Sequence, residues 1–245
     1  MFDLITDGAR LVHVVFGFAG LAAFWIPVFA KKGATTHVRF GKIFVWSAYV
    51  VLAGAAIALT GRFVSLSFDG VGPRDNPGLY AFMIFLAYLT LVTFVTVRHG
   101  MVVLRHKRDP AKVRTPLNAA LAYAAIAASV ALILYAIIES PPNFIVLLAL
   151  SPIGLGVGSG NLRYMRNPPG SPRAWMYEHL GAMLGAGIAF HTAFAVFGSA
   201  QLFDIGLSGG LAIVPWVAPA AIGIPATIIW TRHYRRKFGE IGAAA

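Results

Sequence analysis

Seven long apolar stretches constrain the fold of this chain more than any other feature. Each approaches the ~20 residues that an α-helix needs to cross a hydrocarbon core of ~30 Å. They lack the alternating pattern of a transmembrane β-barrel, the other structure that pairs all its backbone polar groups in lipid. We therefore predict an all-α integral membrane bundle of seven transmembrane helices, forming a single domain over residues 1–245. The predicted spans are Leu11–Ala30, Ile43–Thr60, Leu79–Val97, Leu117–Ile138, Phe144–Gly160, Leu180–Ala200 and Leu211–Thr231.

The composition supports the membrane class and limits the kinds of binding partner that the chain can have. Only 12% of the residues are charged and 58% are hydrophobic, whereas a soluble domain carries about 25% charged residues. The formal net charge of +11 lies in short clusters between the spans, where lipid phosphates are found. Because no soluble segment is long enough to form a basic folded face, we predict membrane lipid as a partner and no nucleic acid. The absence of cysteine excludes disulfides and thiolate-ligated metal sites.

The lysines and arginines predict an orientation. When the seven spans alternate, 17 of the 20 basic residues fall on one side of the membrane. Basic connections stay in the cytoplasm, so we predict an outside N-terminus and a cytoplasmic C-terminus. The first span is predicted to be retained, because acidic residues replace the basic start of a signal peptide. The fifth span is short and rich in glycine; the alternation supports it, although helices four and five could instead form a re-entrant hairpin.

The seven histidines differ in their predicted depth. Three lie beside arginines in the basic connections, and we predict that they are solvated or face lipid. They are His99, His106 and His233.

The other four histidines are the candidate cofactor ligands. His13 and His191 fall in the outer half of their helices, whereas His37 and His179 share the cytoplasmic level. This pattern allows two transverse histidine pairs, the arrangement that two stacked bis-histidine b-type haems require for electron transport. One feature opposes it: His179 and His191 lie ~120° apart around one helix, whereas a helix serving two haems favours whole turns.

Small residues accompany these histidines. A macrocycle lying against a helix needs positions without side chains, but membrane helices also use glycine and alanine simply to pack closely. Both interpretations stay open for this set. Its members are Gly17 and Gly20 near His13, Gly41 near His37, and Gly187, Ala195 and Gly198 near His191.

Two further features carry possible functions. Glu178 is the only carboxylate close to the start of a span, where it could relay protons or, as the more common arrangement, pair with an arginine of a connection. Alternate glycines run through the fifth span, at Gly154, Gly156, Gly158 and Gly160. No strand precedes them, so they are not a dinucleotide-binding motif, and we predict that they allow close helix packing.

Two segments resemble a known group of proteins. The stretch HVVFGFAGLAAFWIPVFAKKGATTHVRFG, residues 13–41, has a helix that begins with histidine, a basic loop and a His-x-x-x-Gly step. The segment HLGAMLGAGIAFHTAFAVF, residues 179–197, is similar in style. Together they resemble a group of uncharacterised bacterial multi-pass membrane proteins. The resemblance implies an integral protein of the bacterial inner membrane and points to the same histidines, but it carries no function.

These observations favour a histidine-ligated b-type haem protein for membrane electron transfer. His13 and His191 are the predicted axial ligands, and His37 and His179 form the second pair. One alternative is a small proton-linked transporter or channel that uses His191 and Glu178. Another is a non-catalytic subunit of a membrane complex, or a homo-oligomer, whose small-residue faces dock partner helices. A retinal protein is excluded, because no lysine lies inside a span.

Overall fold

The computed structural model describes residues 2–198 and 209–241, and within these ranges it contains helices and turns but no strand. The described residues form eight α-helices, short 3₁₀ segments at Pro110–Val113 and Gly209–Ile213, and a π-helical turn at Phe194–Gly198. The α-helices are α1 (Phe2–Phe29), α2 (Thr35–Phe68), α3 (Pro77–Arg105), α4 (Pro116–Glu139), α5 (Phe144–Leu150), α6 (Pro152–Arg166), α7 (Ala174–Ala193) and α8 (Val214–Lys237).

The prediction of seven membrane-spanning helices is confirmed by length and composition. Among the described residues, seven helical segments of 23 to 34 residues are long and apolar enough to cross a bilayer. The fifth, predicted as the weakest, combines α5 and α6 into Phe144–Arg166. Residues 199 and 200, the last two of the sixth predicted span, lie outside the described residues. The orientation of the termini and the single domain over residues 1–245 stay predictions.

Contacts divide the helices into two compact units. The first unit combines the residues up to Phe94 with Ala127–Leu155, and the second combines Val95–Ile126 with the residues from Gly156 onward. Helices α3, α4 and α6 therefore contribute residues to both units.

In the first unit, α1 packs along α2. Gly54 of α2 marks the closest approach: a Cβ added there would lie 3.1 Å from the carbonyl oxygen of Ala9 and 3.2 Å from Cβ of His13. A side chain at this position would separate the two helices, so glycine brings the backbone of α2 against the first helix.

The first unit also contains a break in the fifth span, between α5 and α6. Pro152 has no N–H to donate to the carbonyl of Leu148 four residues earlier. The hydroxyl of Ser151 donates to that carbonyl instead, at 3.2 Å. In hydrocarbon, such a side-chain replacement is the condition under which an interrupted helix is tolerated.

Tyr88 of α3 and Ser129 of α4 complete the repair of this break. The Tyr88 hydroxyl donates toward the carbonyl of Ser151 at 2.6 Å and accepts the backbone N–H of Gly154 at 2.9 Å. The Ser129 hydroxyl donates to the same Ser151 carbonyl at 2.7 Å. Tyr88 is only 4% exposed, so these groups have no water to replace a lost partner.

The second unit has its own apolar core, drawn from four helices and the first 3₁₀ segment. Val103 of α3, Ala122 of α4, Tyr164 of α6 and Ala174 of α7 are buried members of one cluster. Glycines again mark the closest helix contacts. A Cβ on Gly100 of α3 would lie 2.7 Å from Cβ of Ala182 on α7.

Candidate functional site

His13 lies between α1 and α2 and is partly buried. Its Nδ1 donates to the carbonyl oxygen of Val51 at 2.8 Å. The hydrogen bond crosses from one helix to the next beside Gly54, whose missing side chain leaves room for the His13 Cβ. One of the two ring nitrogens of His13 therefore joins α1 to α2 by a hydrogen bond.

His37 lies in the first turn of α2 and faces the end of α1. Its Nδ1 donates to the carbonyl of Pro27 at 3.0 Å. Lys32, in the connection, donates through Nζ to the same carbonyl at 2.7 Å and to that of Val28 at 2.6 Å. Burial lowers the pKa of the Lys32 ammonium. Both side chains thus satisfy carbonyls that the last turn of α1 leaves without a helical partner.

His179, in the second unit, makes a hydrogen bond between helices like that of His13. Its Nδ1 donates to the carbonyl of Gly100 on α3 at 3.0 Å, at the point where α3 and α7 come closest. As at His13, a histidine of one helix bonds to a neighbouring backbone beside a glycine contact.

His191 bonds within its own helix. Its Nδ1 donates to the carbonyl of Gly187, four residues earlier in α7, at 2.7 Å. The π-helical turn Phe194–Gly198 follows at once. Such turns occur frequently at functional sites.

The four predicted ligands share one chemical arrangement. In each, Nδ1 lies within hydrogen-bond distance of a backbone carbonyl oxygen. A carbonyl oxygen can only accept a hydrogen bond, so the ring proton is placed on Nδ1. The lone pair of the neutral ring then lies on Nε2. Histidines that bind a metal characteristically donate their second nitrogen to a carbonyl or carboxylate in this way. The four are also alike in exposure, since none is fully buried and none is fully exposed.

The room around these histidines fits a flat cofactor in part. A Cβ added to Gly17 or Gly41 would have nothing within 4 Å, so no side chain in the described part of the chain fills those positions. Gly198 differs, because the ring of Phe194 already occupies its free side. The donor set and two of the glycines therefore suit a haem, whereas the space at Gly198 is taken.

The structure locates the histidines in separate units. His13 and His37 belong to the first unit, whereas His179 and His191 belong to the second. Each predicted pair takes one member from each unit, and the pairing stays a prediction. Within a unit the two candidates stand far apart along the helices, since 12 residues of α7 correspond to ~18 Å.

Sequence reasoning missed a contact in the second unit between a buried histidine and a partly exposed carboxylate. The prediction that His99 is solvated or faces lipid is wrong: it is 7% exposed, and its Nε2 lies 3.4 Å from Oε2 of Glu178. The arginines next to it in sequence indicated a surface position. His99 instead faces α7. Because Gly100 has no side chain, α7 packs close to α3 at this point. Glu178 therefore meets a histidine of α3, whereas the sequence favoured an arginine of a connection.

The ring of Tyr164 on α6 contributes a third side chain to this pair. It lies edge-on to the His99 imidazole, with 5.8 Å between the ring centroids. The sequence contained one usable signal, namely that both His99 and Glu178 adjoin small or aromatic residues at the starts or ends of spans. Their 79-residue separation hid the contact.

Comparisons with known proteins found no matching family model, no matching curated protein and no matching solved structure.

Proposed function

We propose that this chain is an integral protein of a bacterial inner membrane that binds b-type haem through its histidines and carries electrons. His13 and His191 are the proposed axial ligands, and His37 and His179 are the proposed second pair. A bound haem would supply a one-electron carrier within the hydrocarbon.

A single observation carries the proposal. All four candidate rings donate Nδ1–H to a backbone carbonyl. These bonds fix the orientation of each ring and make its other nitrogen a better electron-pair donor. Histidines that served only to pair helices would need no common nitrogen, because either one can donate.

The other protein groups have supporting roles in this proposal. Carbonyls of α1, α2, α3 and α7 hold the rings, while Gly17 and Gly41 leave open positions beside the first helix pair.

The test is the visible spectrum of protein purified in detergent from haem-replete cells. We expect a Soret band and haem in a pyridine extract. His191→Ala is expected to abolish or shift the band, whereas His191→Met is expected to keep a haem with an altered potential, because methionine is also an axial ligand. Free imidazole is expected to restore binding in His191→Ala, which a purely structural role would not allow.

His233→Ala is the matched control, because His233 is exposed on α8 and is outside the proposed ligand set. Its spectrum should equal that of the wild type. Protein without a Soret band that also fails to bind added haemin contradicts the proposal. A haem-free preparation with proton-coupled uptake that is lost in His191→Ala selects the transporter alternative. Co-purification with other membrane chains, and no activity alone, selects the subunit alternative.

The proposed orientation has an independent test, because the chain has no native cysteine. Arg74 and Arg108 are both exposed in connections between helices, so each can be replaced by a single cysteine. In intact cells, a membrane-impermeant maleimide is expected to label Arg74→Cys and to label Arg108→Cys only after permeabilisation. Equal labelling of both, or the reverse order, contradicts an outside N-terminus.

A further inference from the structure

The chain reverses direction at the end of α8 and brings a carboxylate to an arginine. Gly239 has a φ of 69°, which glycine adopts without strain. Its N–H donates to the carbonyl of Arg236 at 3.0 Å, and the N–H of Glu240 donates to the carbonyl of Arg235 at 2.9 Å. These two bonds form a Schellman motif, which ends the helix. As a result, Oε1 of Glu240 lies 3.7 Å from Nη1 of Arg173, just before α7.

Two arginines at this end are held against aromatic rings. The guanidinium carbon of Arg235 lies 4.7 Å from the centroid of the Tyr177 ring, and that of Arg173 lies 4.4 Å from the centroid of Phe238. Tyr177 is only 7% exposed, so the ring under Arg235 is part of the packed structure. Stacking fixes a guanidinium in place while its N–H groups keep their capacity to bind an anion.

A groove of about 410 Å³ lies on α8 beside these arginines, within the range of sites that hold a small molecule. It is lined by Thr227, Ile228, Thr231, Arg232, Arg235 and Ile241. Ile228 precedes Arg235 by seven residues, or ~10 Å along the helix. The groove therefore has a cationic part at the end of a membrane-spanning helix and an apolar part closer to its middle.

The balance of charge at this end is positive. Glu240 is the only carboxylate among residues 214–241, and it cannot neutralise Arg173, Arg232 and Arg235 together. No residue of α8 is buried in the described part of the chain. An anionic molecule at the membrane surface is therefore attracted to this end of α8.

The two parts of the groove together identify the class of ligand. Guanidinium groups bind phosphate oxygens through paired, charge-assisted hydrogen bonds. A soluble phosphate would meet the arginines but would leave the isoleucines uncovered. A phospholipid also covers them, because its acyl chains begin next to its phosphate and extend into the hydrocarbon.

We propose that this groove binds one anionic phospholipid, with the lipid phosphate at Arg232 and Arg235 and an acyl chain along Ile228. Basic pockets between membrane helices bind acidic lipid headgroups by the same chemistry. The site lies in the second unit and contains none of the histidines, so its test does not depend on haem binding.

The experiment is native mass spectrometry of the full chain, delipidated in an uncharged detergent and titrated with dioleoyl phosphatidylglycerol. We expect one lipid to bind more tightly than the others, and more tightly than dioleoyl phosphatidylcholine, which has the same chains but no net charge. Arg232→Gln should weaken the binding of this one lipid about tenfold, because a charge-assisted hydrogen bond is lost. Arg232 is exposed, so the variant should keep the fold, which circular dichroism checks.

Arg236→Gln is the matched control. It removes the same charge from the same turn of α8, but Arg236 is exposed and does not line the groove. Its affinity for the lipid should equal that of the wild type. Ile228→Ser keeps every arginine and should still weaken binding several-fold; it also carries the test if Arg232→Gln does not fold.

Three results overturn the proposal. Equal losses in Arg232→Gln and Arg236→Gln would show a general attraction to surface charge. Displacement of the lipid by glycerol phosphate, which has the anion without the chains, would indicate a site for soluble phosphates. A wild-type chain that binds phosphatidylglycerol no better than phosphatidylcholine would show that the arginines do not select an anionic headgroup.

Discussion

Tyr88→Phe is expected to lower the free energy of unfolding by about 2–3 kcal/mol, because the lost hydroxyl serves several buried groups at once. The N–H of Gly154 would lose its acceptor, and the carbonyl of Ser151 would lose one of its two donors. A single hydrogen bond between membrane helices contributes only about 0.6 kcal/mol on average. The larger expected value reflects an orphaned N–H at a helix break, where lipid offers no replacement.

The measurement is reversible unfolding in mixed micelles with increasing denaturing detergent, followed by circular dichroism. Tyr135→Phe is the matched control, since Tyr135 is partly buried on α4 and its hydroxyl makes no hydrogen bond in the described part of the chain. It should change stability by less than about 0.5 kcal/mol. Ser129→Ala should be less than additive with Tyr88→Phe, because both hydroxyls meet the Ser151 carbonyl. Equal effects of Tyr88→Phe and Tyr135→Phe would show that the break does not depend on this hydroxyl.

Hydropathy predicted the seven spans because the solvent imposes them. A run of apolar residues long enough to cross lipid must be helical, whatever its neighbours are. The fifth span shows the limit of this reasoning. Pro152 was visible in the sequence, but the repair of the break depends on Tyr88, which lies 66 residues before Gly154. A pattern read along one helix contains no information about donors that come from another.

The candidate site shows the same limit. A pattern along one helix can predict how deep a residue lies, but not the direction in which its side chain points. Sequence spacing predicts a depth for His13 and His191, which stays a prediction, and it does not show which way each ring points. For His99 the inference failed, because neighbouring arginines describe the end of a helix and not the face on which a side chain lies. Helix faces are decided by packing, and here the packing follows from a glycine contact between α3 and α7.

The alternate glycines of the fifth span are expected to have opposite effects when replaced by alanine, although each lies only two residues from the next. Gly158 is buried, and a Cβ there would meet the carbonyl oxygen of Ala122 and lie 2.6 Å from Cγ1 of Ile126. The isoleucine can change its rotamer, but the carbonyl belongs to the backbone of α4 and can move only with the helix. Gly156 and Gly160 have nothing within 4 Å of the added Cβ.

Two opposing terms decide the outcome for Gly158→Ala. Alanine favours a helix over glycine by about 0.5–1 kcal/mol, whereas overpacking a close contact costs about 1–3 kcal/mol and more when backbone must shift. We expect a net loss of about 2 kcal/mol for Gly158→Ala and no loss, or a gain of up to about 1 kcal/mol, for Gly156→Ala. Both are measured by the same detergent unfolding, with Gly160→Ala as a second open-site control. If Gly158→Ala were as stable as Gly156→Ala, α4 and α6 would not be held at the distance that the Ala122 carbonyl requires, and close packing would no longer explain the alternation.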